Sequence, residues 1–229
     1  MVSAIIVAAG KGIRMNDPTR KQYLDLAGRP ILAYSVMVFD TCELIDKTFL
    51  VLPKEDIEYC RKNILSLLEL KNELKLVPGG EQRQNSVYNG LQAVNKKTDT
   101  VVVHDGVRPF IQSDELESCI LGARKFGACI LGIPAGDTIK SVGKSGVIEK
   151  TLSRNSIWLA QTPQAFKYEL IIRAHETARR DGYTGSDDAS LVERLGKDVR
   201  IIKGSKKNIK ITVREDLVIA CAMLDAITR

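Results

Sequence analysis

Short apolar runs alternate with segments of helical periodicity from the start of the chain to about residue 133, and this alternation limits the possible folds more than any other feature. The predicted strands are residues 3–8, 47–52, 74–77, 100–104 and 128–133. The predicted helices lie near residues 31–40, 55–69, 82–95 and 114–126. Strands that are separated by helices of this length form βαβ units, so we expect a mostly parallel sheet with helices on both faces.

One of these helices shows its buried face directly in the sequence. Within the segment 55–69, Ile57, Cys60, Ile64 and Leu67 recur at helical spacing. This periodicity predicts that all four side chains lie on the side of the helix that packs against the sheet.

The pattern changes after Pro134. The segment 137–152 has two short strand-like runs on either side of Lys144-Ser145-Gly146, which predicts a β-hairpin. The elements predicted beyond it are helices near 167–181, 187–195 and 215–227 and a strand at 199–203. We therefore predict a single α/β domain over residues 1–229 with a β-arm at about 137–155. A projecting hairpin buries little surface by itself, so the arm is expected to need a second subunit.

Charge and composition narrow the class of protein. The chain has 229 residues, a net charge of +6 and a pI of about 9.0, which favours anionic partners. Basic residues are interleaved with acidic ones, as in KEDIEYCRKN, and aromatic residues make up only 5% of the chain. Both features argue against a nucleic-acid-binding protein. We expect the positive field to attract anionic metabolites instead.

Three further features predict a cytoplasmic protein that does not enter a membrane. No apolar stretch approaches the roughly 18 residues that a membrane helix needs. The N-terminus lacks the basic segment and the cleavage site of a signal peptide. The five cysteines are scattered without a C-x-x-C pair, which predicts reduced thiols rather than disulfides or a zinc site.

Three stretches rich in glycine and polar residues follow predicted parallel strands. They are residues 8–14, 78–86 and 104–108. Ligands of open α/β sheets bind beyond the carboxyl ends of the strands. The topology alone therefore predicts that the three stretches converge at one edge of the sheet.

The first stretch, AAGKGIRM, is compatible with phosphate binding without being a standard nucleotide motif. Gly10 and Gly12 lack the third glycine of a dinucleotide fingerprint, because Met15 stands in its place, and the P-loop pattern is missing. A glycine-rich turn can still direct amide groups at phosphate oxygens, with Arg14 and Lys21 as fixed positive charges. The alternative is an ordinary strand-to-helix turn with solvated cations, and these residues alone leave both interpretations open.

Three other residues are open to more than one role. Ser86 lies near the start of a predicted helix and could cap it or hold a base or ribose. Asp105 follows a buried strand and could organise Mg²⁺, which proteins bind through one or two carboxylates plus substrate phosphates, or could form an Asx turn. His175 lies in an amphipathic helix and is predicted to be structural and partly exposed.

Seven motifs occur in a fixed order and span nearly the whole chain. They are AAGKGIRM…KQYL, PGGEQRQNSV, VHDGVRP, DTIK, WLAQTPQAF, TGSDDASLVERLG and NIKIT…EDL. In this order they resemble the family of 2-C-methyl-D-erythritol 4-phosphate cytidylyltransferases, CTP-dependent enzymes of the non-mevalonate isoprenoid pathway. The resemblance implies a Rossmann-like sugar-nucleotidyltransferase fold, Mg²⁺ as cofactor, CTP and 2-C-methyl-D-erythritol 4-phosphate as substrates, and a homodimer whose arms reach into the neighbouring subunit.

The resemblance also implies roles for individual residues. Arg14 and Lys21 match the pair that stabilises the transition state, and Arg154 and Lys210 match the pair that positions the substrate phosphate. The positions that match CTP-binding residues are Ala8, Ala9, Gly10, Gly12, Gly80, Glu81, Ser86 and Asp105. The positions that match residues near the sugar phosphate are Asp105, Arg108, Thr138, Arg154, Thr162, Ser186 and Lys210. Asp105 is also the candidate metal ligand.

The implied reaction is direct attack of the sugar phosphate on the α-phosphorus of CTP, with pyrophosphate as the leaving group. One alternative is a cytidylyltransferase for ribitol or ribulose 5-phosphate, against which the opening AAGKG and Lys140 in DTIK argue. The other alternative is a non-enzymatic binder of nucleotides or nucleic acid, for which so many ordered polar motifs would be unnecessary.

Overall fold

The computed structural model describes residues 1–12, 15 and 17–228, and over these residues the predicted α/β class is confirmed. The strands are β1 (Val2–Val7), β2 (Asp25–Leu26), β3 (Arg29–Pro30), β4 (Lys47–Leu52), β5 (Leu74–Pro78), β6 (Thr100–Asp105), β7 (Ala128–Pro134), β8 (Ile139–Val142), β9 (Ile148–Leu152), β10 (Trp158–Lys167) and β11 (Arg200–Lys203). The α-helices are α1 (Ile31–Thr41), α2 (Ile57–Asn63), α3 (Arg83–Ala93), α4 (Ser113–Phe126), α5 (Tyr168–Arg180), α6 (Asp188–Arg194) and α7 (Arg214–Thr228). Short 3₁₀ turns cover Lys21–Tyr23, Lys54–Asp56, Leu65–Leu67 and Arg154–Ser156.

Seven of the described strands form one sheet in the order β11-β7-β10-β6-β1-β4-β5. Neighbouring strands pair in parallel except at β10, which is antiparallel to both β6 and β7. The chain places β4 and β5 on one side of β1 and then returns to place β6 on the other side. In open α/β sheets a ligand crevice forms where the strand order reverses in this way, outside the carboxyl ends of the strands.

The central strands are buried on both faces, which is why they could be predicted from continuous apolar runs. Ile6 and Val102 belong to the apolar cluster that packs under α1 and α4. Ile5, which precedes Ile6, and Val103, which follows Val102, belong to the cluster under α3 and α5. The helices thus cover the two faces of the sheet and leave its carboxyl edge open.

A third apolar cluster fixes the segment that precedes α7. Ile211 is buried with Val107 and Phe110, and Ala220 of α7 packs into the same cluster. The backbone N–H of Ile211 donates to the carbonyl oxygen of Val107 at 2.9 Å. This contact holds the residues just before α7 beside the residues that follow β6.

The ten-residue strand β10, which lies between β6 and β7 in the sheet, was not predicted from the sequence. Its register with β7 shifts between Ala160 and Gln164, and the Thr162-Pro163 peptide bond within this irregularity is cis. A proline inside a run argues against a central strand, because it cannot donate a ladder hydrogen bond. The shift in register removes that requirement, since Pro163 has no partner on β7.

The helix predicted over 55–69 is shorter than its periodicity suggested. The α-helix ends at Asn63, and a separate 3₁₀ turn follows. Cys60 and Ile64 are buried as predicted, but Leu67 is 76% exposed, so its assignment to the buried face is wrong. Once the α-helix has ended, a spacing of three or four residues no longer keeps side chains on one face.

The predicted hairpin is confirmed as β8 and β9, which pair with each other and with no other strand in the described part of the chain. Gly146 in its turn has φ +78°, and its N–H donates to the carbonyl of Gly143 at 3.0 Å. Val142, Val147 and Ile148 are each more than half exposed on this arm. Within the described residues, no helix has the length and apolar character that crossing a membrane requires.

Candidate functional site

A cavity of about 700 Å³ opens at the carboxyl edge of the sheet, where the strand order reverses. Its lining consists of residues 7–11, 20–22, 53–55 and 79–83, together with Ser86, Asp105, Val107 and Lys210. The segments that follow β1, β5 and β6 therefore meet here, as the topology predicted. The confirmed convergence places backbone amides, lysines and one buried carboxylate around a single space.

Glycine is needed at two positions in and beside the cavity lining, because segments of the chain approach each other closely there. A Cβ atom on Gly79 would lie 2.3 Å from Cβ of Ala9 and 3.3 Å from the carbonyl oxygen of Leu52. Gly12 has φ +68° and packs on the backbone of Lys21, whose nitrogen would lie 3.1 Å from an added Cβ. These contacts bring the turn after β1 against both the turn after β5 and the 3₁₀ turn that begins at Lys21.

We expect Gly79→Ala to destabilise the protein by about 1–3 kcal/mol, the usual cost of inserting a methyl group into a packed site. The methyl group would push against Cβ of Ala9, which the backbone holds in place, and would separate two walls of the cavity. Urea unfolding measures the expected change in the free energy of unfolding. Gly136→Ala is the matched control, because a Cβ there meets nothing within 4 Å. Equal urea midpoints for the two variants would contradict the prediction.

Two buried polar side chains hold the turns in shape. Gln22 is buried, and its Nε2 donates to the carbonyl oxygen of Ala8 at 2.8 Å. The hydroxyl oxygen of Ser86 accepts from the backbone N–H of Gly80 at 3.1 Å and the hydroxyl donates to the carbonyl of Gln82 at 3.1 Å. Gln82 is the N-cap residue of α3, so Ser86 is not the cap. Ser86 instead orders the turn after β5 and also faces the cavity.

Asp105 lies between two cations at the end of β6. Its Oδ1 accepts from Nε of Arg83 at 2.9 Å, and its Oδ2 lies 2.6 Å from Nζ of Lys210. Burial alone would raise the pKa of this carboxyl, but the charges of Arg83 and Lys210 outweigh that effect and hold the pKa well below its usual range. Asp105 is therefore a carboxylate at neutral pH, and it forms no Asx turn among the described residues.

Arg83 connects the cavity to a second buried carboxylate. Its Nη1 donates to Oδ2 of Asp188 at 2.8 Å, and Oδ1 of Asp188 accepts from Nε2 of His175 at 3.1 Å. Burial would raise the pKa of Asp188, but Arg83 and His175 outweigh it and keep the pKa below its usual range. His175 is completely buried, so the prediction that it is partly exposed is wrong, whereas its position beside Asp188 is consistent with a structural role.

The backbone of Asp105 is held from the side of β10. The hydroxyl oxygen of Thr162 accepts from the N–H of Asp105 at 3.0 Å, and the hydroxyl donates to Nδ1 of His104 at 3.2 Å. Burial lowers the pKa of His104 to about 3, so its ring is neutral and its Nε2–H donates to the carbonyl of Arg108 at 3.2 Å. Arg108 is itself buried and its Nη1 donates to the carbonyl of Asn208.

The structure places the predicted site residues in three groups. Those on the cavity wall are Ala8, Ala9, Gly10, Lys21, Gly80, Glu81, Ser86, Asp105 and Lys210. Gly12 packs beside Lys21, while Arg108 and Thr162 lie behind the wall in contact with the residues around Asp105. Arg14 lies outside the described residues.

The remaining predicted residues are exposed and are not among the described residues of the wall. Thr138 lies at the base of the arm, and Ser186 precedes α6. Arg154 is in the 3₁₀ turn after β9, where its Nη1 donates to the carbonyl of Gly136 at 2.7 Å. One chain thus does not bring Arg154 to its own cavity in this arrangement.

The sequence analysis did not indicate that Gln22, Arg83 and Asp188 help to organise the site. Gln22 and Arg83 lie inside quoted motifs, but nothing in those motifs separates them from their neighbours. Asp188 is 105 positions from Arg83, and no local pattern indicates that the two meet. The only signal is the position of Arg83 at the start of α3, just beyond the turn that follows β5 at the cavity.

Asp105 is the wall residue best suited to hold a divalent cation. Among the described residues, no cluster of three or more histidine, cysteine, aspartate or glutamate side chains could bind a metal by itself. A carboxylate has about four lone-pair sites, and Asp105 uses two of them. Its chemistry fits Mg²⁺ that takes most of its other ligands from substrate phosphates.

Comparison of the sequence with a family model and with individual relatives gives the same family name in each case. Residues 2–226 match the family model described as IspD, 2-C-methyl-D-erythritol 4-phosphate cytidylyltransferase. A relative of that name from Pelotomaculum thermopropionicum is 43% identical over 225 residues, covering 98% of this chain and 94% of the relative. Another of the same name from Syntrophus aciditrophicus is 46% identical, covering 97% of this chain and 95% of the relative.

The fold agrees with a solved structure as well. The crystal structure of 4-diphosphocytidyl-2C-methyl-D-erythritol synthase from Anaerococcus prevotii superimposes with a TM-score of 0.87 at 34% sequence identity. The match covers 98% of this chain and 96% of that one. Sequence and fold therefore point to the same set of relatives along almost the full length.

Proposed function

The chain belongs to the family of 2-C-methyl-D-erythritol 4-phosphate cytidylyltransferases, and we propose that the cavity at the carboxyl edge of its sheet is where CMP passes from CTP to 2-C-methyl-D-erythritol 4-phosphate. The products are 4-CDP-2-C-methyl-D-erythritol and pyrophosphate, in the biosynthesis of isoprenoids. The observation that carries the proposal is the pair Lys21 and Lys210 on one cavity wall lined also by glycine turns. Such a wall suits two polyanionic reactants.

The reaction needs charge stabilisation and positioning more than proton transfer. The phosphate of the sugar substrate is already nucleophilic at neutral pH, so direct attack on the α-phosphorus requires no general base. The barrier comes from bringing two anions together in line, and phosphoryl-transfer enzymes lower it through preorganised positive groups. In this proposal Lys21 and Arg14 stabilise the charge that grows on the α-phosphate and leaving group, while Lys210 holds the phosphate of the sugar.

The glycine turns on the wall suit the triphosphate. Gly10 and Gly80 have no side chain to keep a ligand away from the backbone, so amide groups can approach phosphate oxygens. The ordered turn that Ser86 holds at Gly80 then supplies a rigid edge for the nucleotide. Asp105 would hold Mg²⁺ jointly with the phosphates, and the ion would supply additional positive charge on the triphosphate.

A homodimer explains the location of Arg154. This arginine matches a residue that positions the sugar phosphate, yet it lies at the base of the arm, outside the wall of its own cavity. The arm carries exposed Val142, Val147 and Ile148, apolar side chains that a second subunit would cover. In this proposal the arm of each subunit delivers Arg154 to the cavity of the other.

We also propose a cytoplasmic location. The five cysteines, all within the described residues, form no disulfide, and four of them are buried in the apolar core. Reduced buried thiols are typical of proteins that fold in a reducing compartment. Cell fractionation tests this, and recovery of the protein outside the cytoplasmic fraction would contradict it.

The deciding experiment measures pyrophosphate release from CTP with 2-C-methyl-D-erythritol 4-phosphate and with ribitol 5-phosphate in parallel. We expect release with the first substrate, and we do not favour the pentitol reaction because the family model and both relatives compared carry the methylerythritol name. Adding EDTA to the active mixture tests the Mg²⁺ proposal, which predicts that release stops and returns when Mg²⁺ is restored. Faster release with ribitol 5-phosphate would reverse the choice of substrate.

A further inference from the structure

We infer that Asp188 is a positioning residue for the transfer reaction. It holds Arg83 against Asp105, and Arg83 in turn keeps Asp105 paired while Lys210 moves from Asp105 to the phosphate of 2-C-methyl-D-erythritol 4-phosphate. The inference rests on the proposed function, in particular on the role of Lys210 toward that phosphate.

The four side chains concerned form a continuous path from the cavity into the core. Lys210 and Arg83 face the cavity, and both contact the carboxylate of Asp105. Arg83 also contacts Asp188, which is 1% exposed at the start of α6. The path joins the end of β6 to the starts of α3 and α6, three elements that are far apart in the chain.

When the sugar phosphate binds, Lys210 can contact either that phosphate or the carboxylate of Asp105. Its Nζ lies 2.6 Å from Oδ2 of Asp105, so in this arrangement its charge is already engaged. To hold the sugar phosphate it must share or give up that contact. Asp105 is almost completely buried, and leaving a buried carboxylate without a partner is costly.

Arg83 removes this obstacle because it contacts the other oxygen of the same carboxylate. Its Nε donates to Oδ1 at 2.9 Å, so Asp105 retains one charge-assisted hydrogen bond after Lys210 has turned away. A guanidinium presents its donors in a rigid plane, and Asp188 fixes that plane through Nη1. Without Asp188, the guanidinium is free to rotate, and Asp105 depends more strongly on Lys210.

His175 completes the support. Its Nε2 donates to Oδ1 of Asp188, which leaves Oδ2 directed at Arg83. Its ring is fully buried and stacks against Tyr88 with the ring centroids 6.3 Å apart. Asp188 is therefore held on one side by an imidazole with a fixed orientation, as a supporting carboxylate should be.

The test compares Asp188→Asn with wild type in steady-state kinetics, with each substrate varied in turn. We expect the apparent KM for 2-C-methyl-D-erythritol 4-phosphate to rise about tenfold, the low end of the effect of losing a supporting partner. The apparent KM for CTP should change less, because Asp105 keeps its charge and its place on the wall, whereas Lys210, which is assigned to the sugar phosphate, is held more strongly by Asp105. In a Lys210→Met background, Asp188→Asn should have little additional effect, since it acts through Lys210.

A matched control is available on the far side of the molecule. Asp40 is also a buried carboxylate, and it accepts backbone N–H groups of Lys71 and Asn72 at 2.7 and 2.9 Å. Asp40→Asn should destabilise the fold with no change in either KM. Should Asp188→Asn fail to fold, His175→Phe removes the donor to Asp188 while keeping a ring, and His175→Gln restores an N–H. The first should raise the KM for the sugar phosphate and the second should return it toward wild type.

The possible outcomes distinguish a failure of the inference about Asp188 from a failure of the proposed function on which it rests. An unchanged KM for the sugar phosphate in folded Asp188→Asn, or effects of Asp188→Asn and Lys210→Met that simply multiply, would overturn the role of Asp188 alone. An unchanged KM in Lys210→Met would overturn the assigned role of Lys210 and the inference together. A rise in Asp188→Asn that disappears in the Lys210→Met background would support both.

Discussion

Replacing Lys21 with alanine should lower kcat by at least about 10², which corresponds to about 2.7 kcal/mol of transition-state stabilisation. Lys21 lies on the cavity wall and begins the 3₁₀ turn against which Gly12 packs. Its charge is therefore held in place before substrates bind, and a preorganised cation does not have to reorganise as charge develops on phosphorus. Its loss should reduce kcat more than it weakens binding of CTP.

The measurement is steady-state pyrophosphate release supported by a single-turnover quench, which separates the chemical step from product release. Lys62→Ala is the matched control, because Lys62 is an exposed lysine of α2 outside the cavity wall. We expect that control to keep wild-type kinetics. A Lys21→Ala enzyme within threefold of wild type would remove this lysine from the mechanism.

The parallel part of the fold could be predicted because its strands have apolar residues on both faces. Each of β1, β4, β5, β6 and β7 begins and ends within one residue of its predicted bounds. The edge at which the three polar stretches meet follows from the same topology. The hairpin of β8 and β9, which is also confirmed, was predicted from a different sequence pattern, a glycine turn between two short strand-like runs.

The strand β10 could not be predicted, because only its pairing with neighbouring strands in the folded sheet makes it a strand. The run WLAQTPQAF contains a proline and several polar residues, and it becomes a strand only because β6 and β7 lie on either side. One of its polar residues supports the site, since the hydroxyl oxygen of Thr162 accepts from the backbone N–H of Asp105. A rule based on local periodicity rejects such a segment.

The contacts of Asp105 illustrate the same limit at the level of side chains. Its position after a strand indicated a role at the sheet edge, and the cavity confirms that position. Its partners Arg83 and Lys210 come from the start of α3 and from the segment anchored by Ile211. The distance between these residues in the sequence hides their proximity, and only the packed fold reveals it.

Arg154 presents the opposite case, because the cavity in which we propose that it acts belongs to the neighbouring subunit. Its Nη1 donates to the carbonyl of Gly136, and the arm carries it away from the wall of its own cavity. In a symmetric dimer each arm could serve the neighbouring site. We therefore expect Arg154→Ala to raise the KM for the sugar phosphate about 10- to 150-fold, the cost of one hydrogen bond to a charged group.

A pair of heterodimers tests whether Arg154 acts across the subunit interface. The first combines a Lys21→Ala subunit with an Arg154→Ala subunit, co-expressed with two affinity tags and assayed at low sugar phosphate. If Arg154 acts in the neighbouring subunit, one cavity lacks both groups and the other has both. The heterodimer should then retain roughly half of the wild-type rate, although each homodimeric parent is severely impaired.

The second heterodimer combines a wild-type subunit with a subunit that carries both Lys21→Ala and Arg154→Ala. When Arg154 acts in the neighbouring subunit, the wild-type cavity receives no arginine and the other cavity has no lysine, so both sites are impaired. When Arg154 acts within its own subunit, the wild-type cavity is intact and half of the rate remains, whereas the first heterodimer is inactive. The two heterodimers therefore give opposite results under the two arrangements, and activity only in the second would rule out delivery by the arm.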